Sequence, residues 1–504
     1  MEFKWEENAP KLATLLLMLC MGATNAFYSS KTHLSSTLFH HNLHATKNIG
    51  RPSHGQRLFP VRMVSEESDG SKEEATPVQA YSAETEGEDG DTEISLNTLL
   101  VESHAGIESV GRERWDSLIN EQTSPFVEYD WLYCMEESGV ATAKSGWQPL
   151  HLTVSEEKSK KLVAAIPLYV KYHSMGEFIF DNSWADAAYN YFGVNWYPKL
   201  LSAVPMTPAT GQRVLLRNDL SEKTKLTVQQ LIANYMRQLV LRNSLSSAHV
   251  NFCLQDEADT FEGNGYMTRT SLQYHWYNSD PNNNGEKFKT FDDYLACFPS
   301  KRRIKIKRER RSVYEDANVK MDVYQGEEIP DHLFPVMFKI YKSTIDKLYY
   351  GRQYLNEEFF TMLCKHFKRN LCFIIASDGE TGDVLAGTFN IVKAGHFYGR
   401  YWGGFAFVKN LHFETCYYKA IEYCIENGLD VMEPGAGGGD FKFMRGFDPA
   451  VVKSSHYIVN LGLKIAVKDF IEREAEGIEE AADYLNAQSA MKVPKVITVK
   501  NIEG

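Results

Sequence analysis

From about Asn97 the chain alternates helical and strand periodicities in a repeating order. Residues 111–118 and 127–137 read as helices, the second placing Trp131, Leu132 and Met135 at helical spacing. Residues 148–154 and 162–172 read as strands. They are followed by a long amphipathic helix at 223–242, a buried strand at 248–254 and a further strand at 268–276. A second round begins with a helix at 291–297 and the basic run 301–311. It continues through a strand at 319–324, helices at 331–347 and 355–369, and strands at 371–377, 383–392 and 396–403. A helix at 411–427 and a strand at 429–434 complete it. This order predicts an α/β fold of mixed sheets. It would comprise two tandem halves, 97–270 and 271–480, each a mixed sheet flanked by helices, with a tail at 481–504.

The helix at 411–427 is the best-defined element. Phe413, Cys416, Tyr417, Ala420, Ile421, Cys424 and Ile425 follow helical spacing, Asn410 is placed to cap the start, and Gly428 is placed to close the end. A glycine-rich stretch, Glu433-Pro-Gly-Ala-Gly-Gly-Gly, lies beyond the following strand and precedes Lys442 and Arg445-Gly446-Phe447.

Charge separates the first hundred residues from the rest. Residues 1–63 carry a net +4, residues 64–96 a net −10, and residues 97–504 a net −6, a balance that excludes a general nucleic-acid binder. The apolar stretch Leu12 to Ala23 is too short to span a membrane and ends in small residues, so 1–26 reads as a signal peptide, although Glu2, Glu6 and Glu7 depart from the usual positive start. Residues 27–63 hold five Lys/Arg, five His and no acid, a transit-peptide composition. Together the two segments resemble the two-part plastid address of algae with secondary plastids; the alternative is a secretory signal followed by an unfolded tail. Residues 64–96 are acidic and poor in apolar surface, and are expected to form a disordered linker. The eight cysteines show no zinc spacing, and several stand in apolar runs, as reduced core thiols do.

Motifs spread over residues 110–460 carry a resemblance. They include Gly146-Trp-Gln-Pro-Leu-His-Leu, the run from Pro167 to Asp181, Pro205-Met-Thr-Pro-Ala-Thr-Gly and Gln273-Tyr-His-Trp. Tyr398-Gly-Arg-Tyr-Trp-Gly, Leu411-His-Phe-Glu-Thr-Cys-Tyr-Tyr and Glu433-Pro-Gly-Ala-Gly-Gly with Arg445-Gly-Phe complete the set. In these the chain resembles the peptidoglycan biosynthesis/recognition proteins of the GNAT (N-acetyltransferase) superfamily, relatives of the Fem-type aminoacyltransferases. The resemblance implies transfer of an acyl or aminoacyl group from an activated carrier to an amine, with acyl-coenzyme A or aminoacyl-tRNA as co-substrate and no tightly bound cofactor or metal. The acceptor would be a small-molecule amine, a peptide or a glycan. The alternative is a glycan- or peptide-binding protein that keeps the fold without catalysis. Two departures favour that alternative: the usual coenzyme A phosphate signature is absent before the 411–427 helix, and Phe441 stands where the family has a histidine.

In this fold two parallel strands splay apart and the reacting ester lies between them, here strands 396–403 and 429–434. Glu433, at a strand end, is placed to take a proton, or else to pair with Arg445 or Lys442. His412 and Tyr398 are the other candidate catalytic groups. Period-two alternation puts Tyr398, Arg400 and Trp402 on one face, and Arg400 needs either Glu433 or a substrate anion as its partner. His275 and Trp276 are candidates for an acceptor clamp, Lys442 and Arg445 for substrate binding, and Gly435, Gly437 and Gly438 for close backbone approach to the carrier. His173, Ser174, Glu177 and Asp181 form a polar run placed to line a cleft in the first half. The run Lys301–Arg311 holds eight basic residues and one acid, and reads either as a solvated face or as a contact for an anionic partner such as tRNA.

Overall fold

Two β-sheets organise the body of the protein. The computed structural model describes residues 99–347, 352–436, 439–487 and 490–492, all within one compact unit. The segments read as signal peptide, transit-like region and acidic linker, the end of the tail, and Gly437 and Gly438 lie outside the described residues. The smaller sheet has four strands in the order β1-β3-β4-β7: β1 (Leu99–His104), β3 (His151–Glu156), β4 (Leu162–Ile166) and β7 (Leu215–Leu216). The larger runs through both halves in the order β10-β11-β12-β13-β14-β9-β15-β8-β6-β5-β2. Its first-half strands are β2 (Trp147–Pro149), β5 (Tyr169–Lys171), β6 (Lys199–Ser202) and β8 (Ser247–Cys253). Its second-half strands are β10 (Val319–Gln325), β11 (Leu371–Asp378), β12 (Val384–Lys393), β13 (His396–Gly404) and β14 (Val431–Glu433).

The halves repeat one local plan. In the first, β6 and β8 are parallel and joined through helix α1 (Glu222–Arg242). In the second, β13 and β14 are parallel and joined by a helix of three parts, Leu411–Phe413, a π turn at Glu414–Tyr418 and Lys419–Glu426, together called α2. A parallel pair requires such a crossover, because a short turn cannot return the chain in the same direction. The strands that flank these pairs link the two parts of the sequence. β9 (Met267–Tyr277), which crosses the expected junction, pairs with β14, while β15 (Asp448–Ile458) of the second half pairs with β8 of the first. β9 and β15 also pair with each other along most of their length. The two halves expected from the sequence are therefore joined as one continuous sheet, and the strand over the expected junction near residue 270 belongs to both.

The core is continuous across the halves. One apolar cluster joins Trp115, Phe126, Trp131 and Leu201 to Phe334, Phe359, Phe373, Phe389 and Tyr398. Each aromatic ring buried in such a cluster contributes about 1.5–3 kcal/mol by area alone. A second cluster lies between α1 and the first-half strands, and a third between α2 and the second-half strands. The described cysteines are all free thiols, five of the seven buried. No helix among the described residues is long and apolar enough to cross a membrane.

Several details depart from the sequence reading. The π turn inserts an extra residue into α2 and rotates its apolar stripe, so that Glu414 and Thr415 are buried while Phe413 and Cys416 are half-buried. Asn410 enters the helix at φ 64 without capping it, its side chain donating to Ser312 instead; Gly428 closes the helix at φ 62, as expected. Strand β15 and the long helix α3 (Leu461–Ala487) had no predicted counterpart, and residues 481–487, read as tail, continue that helix.

Candidate functional site

Strands β13 and β14 stay paired for only three residues, the last pair being Tyr398 with Glu433. Beyond it β13 continues to Gly404 beside β12, while the chain after Glu433 turns away at Pro434. The backbones are still very close at the point of parting. A Cβ on Gly399 would lie 3.3 Å from the Pro434 Cα, and one on Gly435, whose φ is 84, would lie 3.1 Å from the Gly399 carbonyl oxygen. Glycine at both positions therefore lets the strands meet and then diverge.

Glu433 lies at this fork, 6% exposed. The Thr210 backbone amide hydrogen-bonds its carboxyl, Oε2 has no hydrogen-bond partner among the described residues, and His275 Nε2 stands 3.9 Å from that oxygen. Burial pushes the carboxyl up to about 8, against the opposing influence of the Thr210 amide, Arg400 and Arg213. Arg400 donates from Nη2 to the Met206 carbonyl at 2.7 Å, and its Nε is buried without a partner. Burial lowers its pKa, while Tyr401 and Glu433 oppose that change. Tyr398 packs edge-on against Phe126, with ring centroids 4.9 Å apart, and its hydroxyl is hydrogen-bonded to Ser124; burial holds it firmly in the phenol form.

Lys442 reaches the fork from the short helix Gly439–Phe443. It is 3% exposed, its ammonium donates to the Gly435 carbonyl, and no carboxylate among the described residues lies within ion-pair distance of it. Burial draws its pKa down to about 8. Lys442 is also close enough to help depress His275, which burial, His396 and Lys442 together push down to about 3. His275 is therefore a neutral imidazole near Glu433, its Nε2 donating to Gln273 Oε1 at 3.3 Å.

The residues facing Glu433 come largely from the first half. Segment 203–213 leaves β6 and is almost wholly buried. Its Met206 carbonyl accepts from Arg400, its Pro208 carbonyl accepts from Gln273, and its Thr210 amide serves Glu433. Arg213, fully buried, holds the segment in shape by donating to the carbonyls of Ala209, Gly211, Gln212 and Asn251. Met206 adopts φ 56, a left-handed conformation uncommon outside glycine. Met206 also lines a pocket of about 290 Å³ between the halves, with His173, Lys144, Arg352 and Tyr354 among its walls.

Glu433, Tyr398, Arg400, His275, Lys442 and Gly435 are thus gathered at one fork. Other sequence-selected residues are elsewhere. The predicted shared face of Tyr398, Arg400 and Trp402 is broken by a β-bulge, where Asn390 pairs with Gly399 and Phe389 with Tyr401. Tyr398 and Tyr401 consequently join the core shared by the halves, whereas Trp402 packs on the opposite side with Leu411 and Val408. His412 lies there too, 5.2 Å from the Trp402 ring and 5.6 Å from Tyr417; burial and Arg445 push it down to about 4. Arg445 does not pair with Glu433. It binds Glu309 at 3.1 Å and stacks 3.6 Å over Phe413. Trp276 is fully buried against Phe288 and Tyr294, a core residue.

Glu414 is structural, paired with Arg310 at 3.0 Å and accepting from Tyr314. Glu177, Asp181 and Ser174 of the first-half polar run surround Lys199, while His173 lines the pocket. The basic run forms a helix at Ser300–Arg311 whose inner face is engaged by Arg302, Glu309 and Arg310, while Lys301, Lys305, Arg308 and Arg311 are exposed on its outer face. Sequence reasoning passed over Thr210, Met206 and Arg213 as site residues. The signal available was the dense run of Pro205, Pro208 and Gly211, too irregular for a helix or strand and too apolar for an exposed loop.

A family model for peptidoglycan biosynthesis/recognition proteins, FemAB-like, matches residues 106–493. Among solved structures, FemX is similar over 73% of this chain and 100% of its own, at 10% identity and a TM-score of 0.43. L-PGS from Bacillus licheniformis is similar over 67% of this chain and 95% of its own, at 10% identity and a TM-score of 0.37. A tandem GNAT protein from the clavulanic acid biosynthesis pathway is similar over 71% of this chain and 98% of its own, at 11% identity and a TM-score of 0.37. No curated protein sequence matches the chain.

Proposed function

Because the chain belongs to the FemAB-like peptidoglycan biosynthesis/recognition family, we propose that it is an acyltransferase joining an acyl or aminoacyl group to an amine. The observation that carries this reading is the buried carboxyl of Glu433 at the point where β13 and β14 part, with the buried ammonium of Lys442 on the Gly435 carbonyl just beyond it. An amine nitrogen attacking a carrier ester or thioester must lose a proton, and the carbonyl oxygen gains negative charge. Glu433 in its ionised form takes that proton. Lys442, with no carboxylate partner among the described residues, balances the oxygen's charge in a site where water does not screen it. Collapse of the tetrahedral species breaks the bond to the carrier oxygen or sulfur, and the proton that Glu433 took from the amine passes to that departing atom.

The outer face of Ser300–Arg311 supports a polyanionic carrier. Lys301, Lys305, Arg308 and Arg311 recur at helical spacing, matching a phosphate ladder better than a single diphosphate, so aminoacyl-tRNA is preferred to acyl-coenzyme A. A plastid address in residues 1–63 accords with a carrier made in that compartment. The test is a panel of acyl-coenzyme A compounds and aminoacyl-tRNAs incubated with candidate amines and followed by mass spectrometry. A new amide mass with one donor is expected, and donors left unchanged throughout would overturn the proposal. One observation favours the second reading, a binding protein without turnover. Phe441 is 55% exposed and stacks on Phe413, so the loop brings no imidazole to the fork. In that case ligands would bind with Glu433 and Arg400 intact, and no amide would form.

A further inference from the structure

The fork holds more polar capacity than proton transfer uses. Glu433 Oε2 and Arg400 Nε are both buried and, among the described residues, both without a hydrogen-bond partner. Leaving such atoms unsatisfied is costly, more so when the group is charged, so a molecule that brings a donor to one and an acceptor to the other gains by binding there. Their other atoms are fixed, because the Thr210 amide hydrogen-bonds the carboxyl and the Met206 carbonyl accepts from Nη2 of the guanidinium. The backbone that pins them is one continuous segment, so the two groups are held in a set relation. Glu433 pairs in register with Tyr398, and Arg400 follows Tyr398 by two residues. About 7 Å of strand rise separates those two positions, a gap that two long side chains can narrow. Each group also feels the other's charge.

A carboxyl oxygen seeking a donor beside a guanidinium edge seeking an acceptor is the complement of a molecule with an amine next to a carboxylate. We infer that the acceptor is of this class, a free amino acid, with its amine on Glu433 Oε2 and its carboxylate on the Nε edge of Arg400. This rests on the transferase reading of the fork and narrows it. A simple alkylamine satisfies Glu433 and leaves Arg400 Nε bare; a simple carboxylate does the reverse. The same contact orients the nucleophile, since anchoring the carboxylate leaves the amine lone pair only a short arc through which to swing.

Calorimetric titration of the full chain with L-alanine, L-alaninamide and propionate tests the inference without needing the donor. Alanine is expected to bind at least ten-fold more tightly than either of the others. Arg400→Gln should erase the preference over alaninamide, and Glu433→Gln the preference over propionate. Equal affinity for all three, or no binding by any, overturns the inference. The comparison among ligands on the unmodified chain decides the matter even if a variant fails to fold. Acyl transfer to amines with no preference for an adjacent carboxylate would sink this inference and leave the transferase reading standing. Tight, carboxylate-dependent binding of alanine with no transfer from any donor would do the opposite.

Discussion

Each half of the molecule buries a lysine beside its parallel strand pair, and the two lysines are finished in opposite ways. Lys199, 1% exposed at the start of β6, donates to Asp181 at 2.5 Å, to Glu177 at 2.8 Å and to Ser174 at 2.9 Å. Those carboxylates, aided by their hydrogen bonds, outweigh burial and raise its pKa above the ordinary lysine value. Lys442, equally buried, has one carbonyl oxygen and no described carboxylate, and burial prevails, lowering its pKa to about 8. A lysine with three donors spent is a strut. One with donors to spare, beside a glycine-rich turn, is on the proposed reading free to meet an oxygen that arrives with the substrate. That reading assigns stability to the lysine of one half and chemistry to the lysine of the other.

Replacing the strut should have the largest effect. Lys199→Ala would leave Asp181 buried without its cation and Glu177 with only Lys171, 3.9 Å away, a loss of about 3–5 kcal/mol. Thermal denaturation should show a fall of ten degrees or more, or no folded protein at all. Lys442→Met removes a charge that has no carboxylate partner among the described residues, so its melting temperature should stay within a few degrees of the parent. A large fall for Lys442→Met and a small one for Lys199→Ala would reverse the roles assigned to the two halves.

Next in size comes the chemistry itself. Glu433→Gln should reduce kcat on the order of 10³, and Lys442→Met by about 10²–10³, once a donor is in hand. The pH profile separates the two. Activity through Glu433 needs its ionised form and therefore rises as pH approaches about 8; activity through Lys442 needs the ammonium and falls above about 8. A narrow bell centred near pH 8 is expected, its acidic limb lost in Glu433→Gln. Stability carries the matching sign. The folded-state pKa of Glu433 lies above that of an unfolded glutamate, so its contribution is fully present below about 4.5 and is lost as pH rises through about 8. Chemical denaturation of Glu433→Gln should accordingly show a shallower decline in stability over that interval than the parent does. Identical pH slopes in parent and variant would mean that the carboxyl is not held in a buried, proton-retaining site.

Most of the second half was legible in the sequence because its signals are local. The apolar stripe of α2, the alternation in β11 to β13 and the glycines after Glu433 each report on a few neighbouring residues, and Glu433, Arg400 and Lys442 follow from their positions on those elements. What was hidden depends on distant pairing. The exchange of β9 and β15 between halves leaves no trace in spacing, since either strand would alternate equally well beside other partners. The bulge opposite Asn390 turns Trp402 away from Tyr398, and one residue of slippage inverts every face that follows. The closing of the fork by Met206 and Thr210 requires a segment some two hundred residues away in the chain, so only the assembled sheet reveals it.

The smallest expected effect tests which side of the sheet performs the chemistry. His412 was a candidate base on sequence grounds, being an imidazole in the first turn of the helix beside the splayed strands. In the structure it sits among Trp402, Phe413 and Tyr417, on the side of β13 away from the shared core that takes in Tyr398. Burial and Arg445 keep it neutral down to about pH 4, so its charge does not change across the range where Glu433 and Lys442 titrate. His412→Phe replaces one flat ring by another of similar volume in an aromatic surround, and should cost no more than about 1.5 kcal/mol. Turnover should change by less than three-fold and the centre of the pH bell should not move. A hundred-fold loss with unchanged melting temperature would instead place the reacting amine on the helix side of the sheet, and Glu433 would then be the strut.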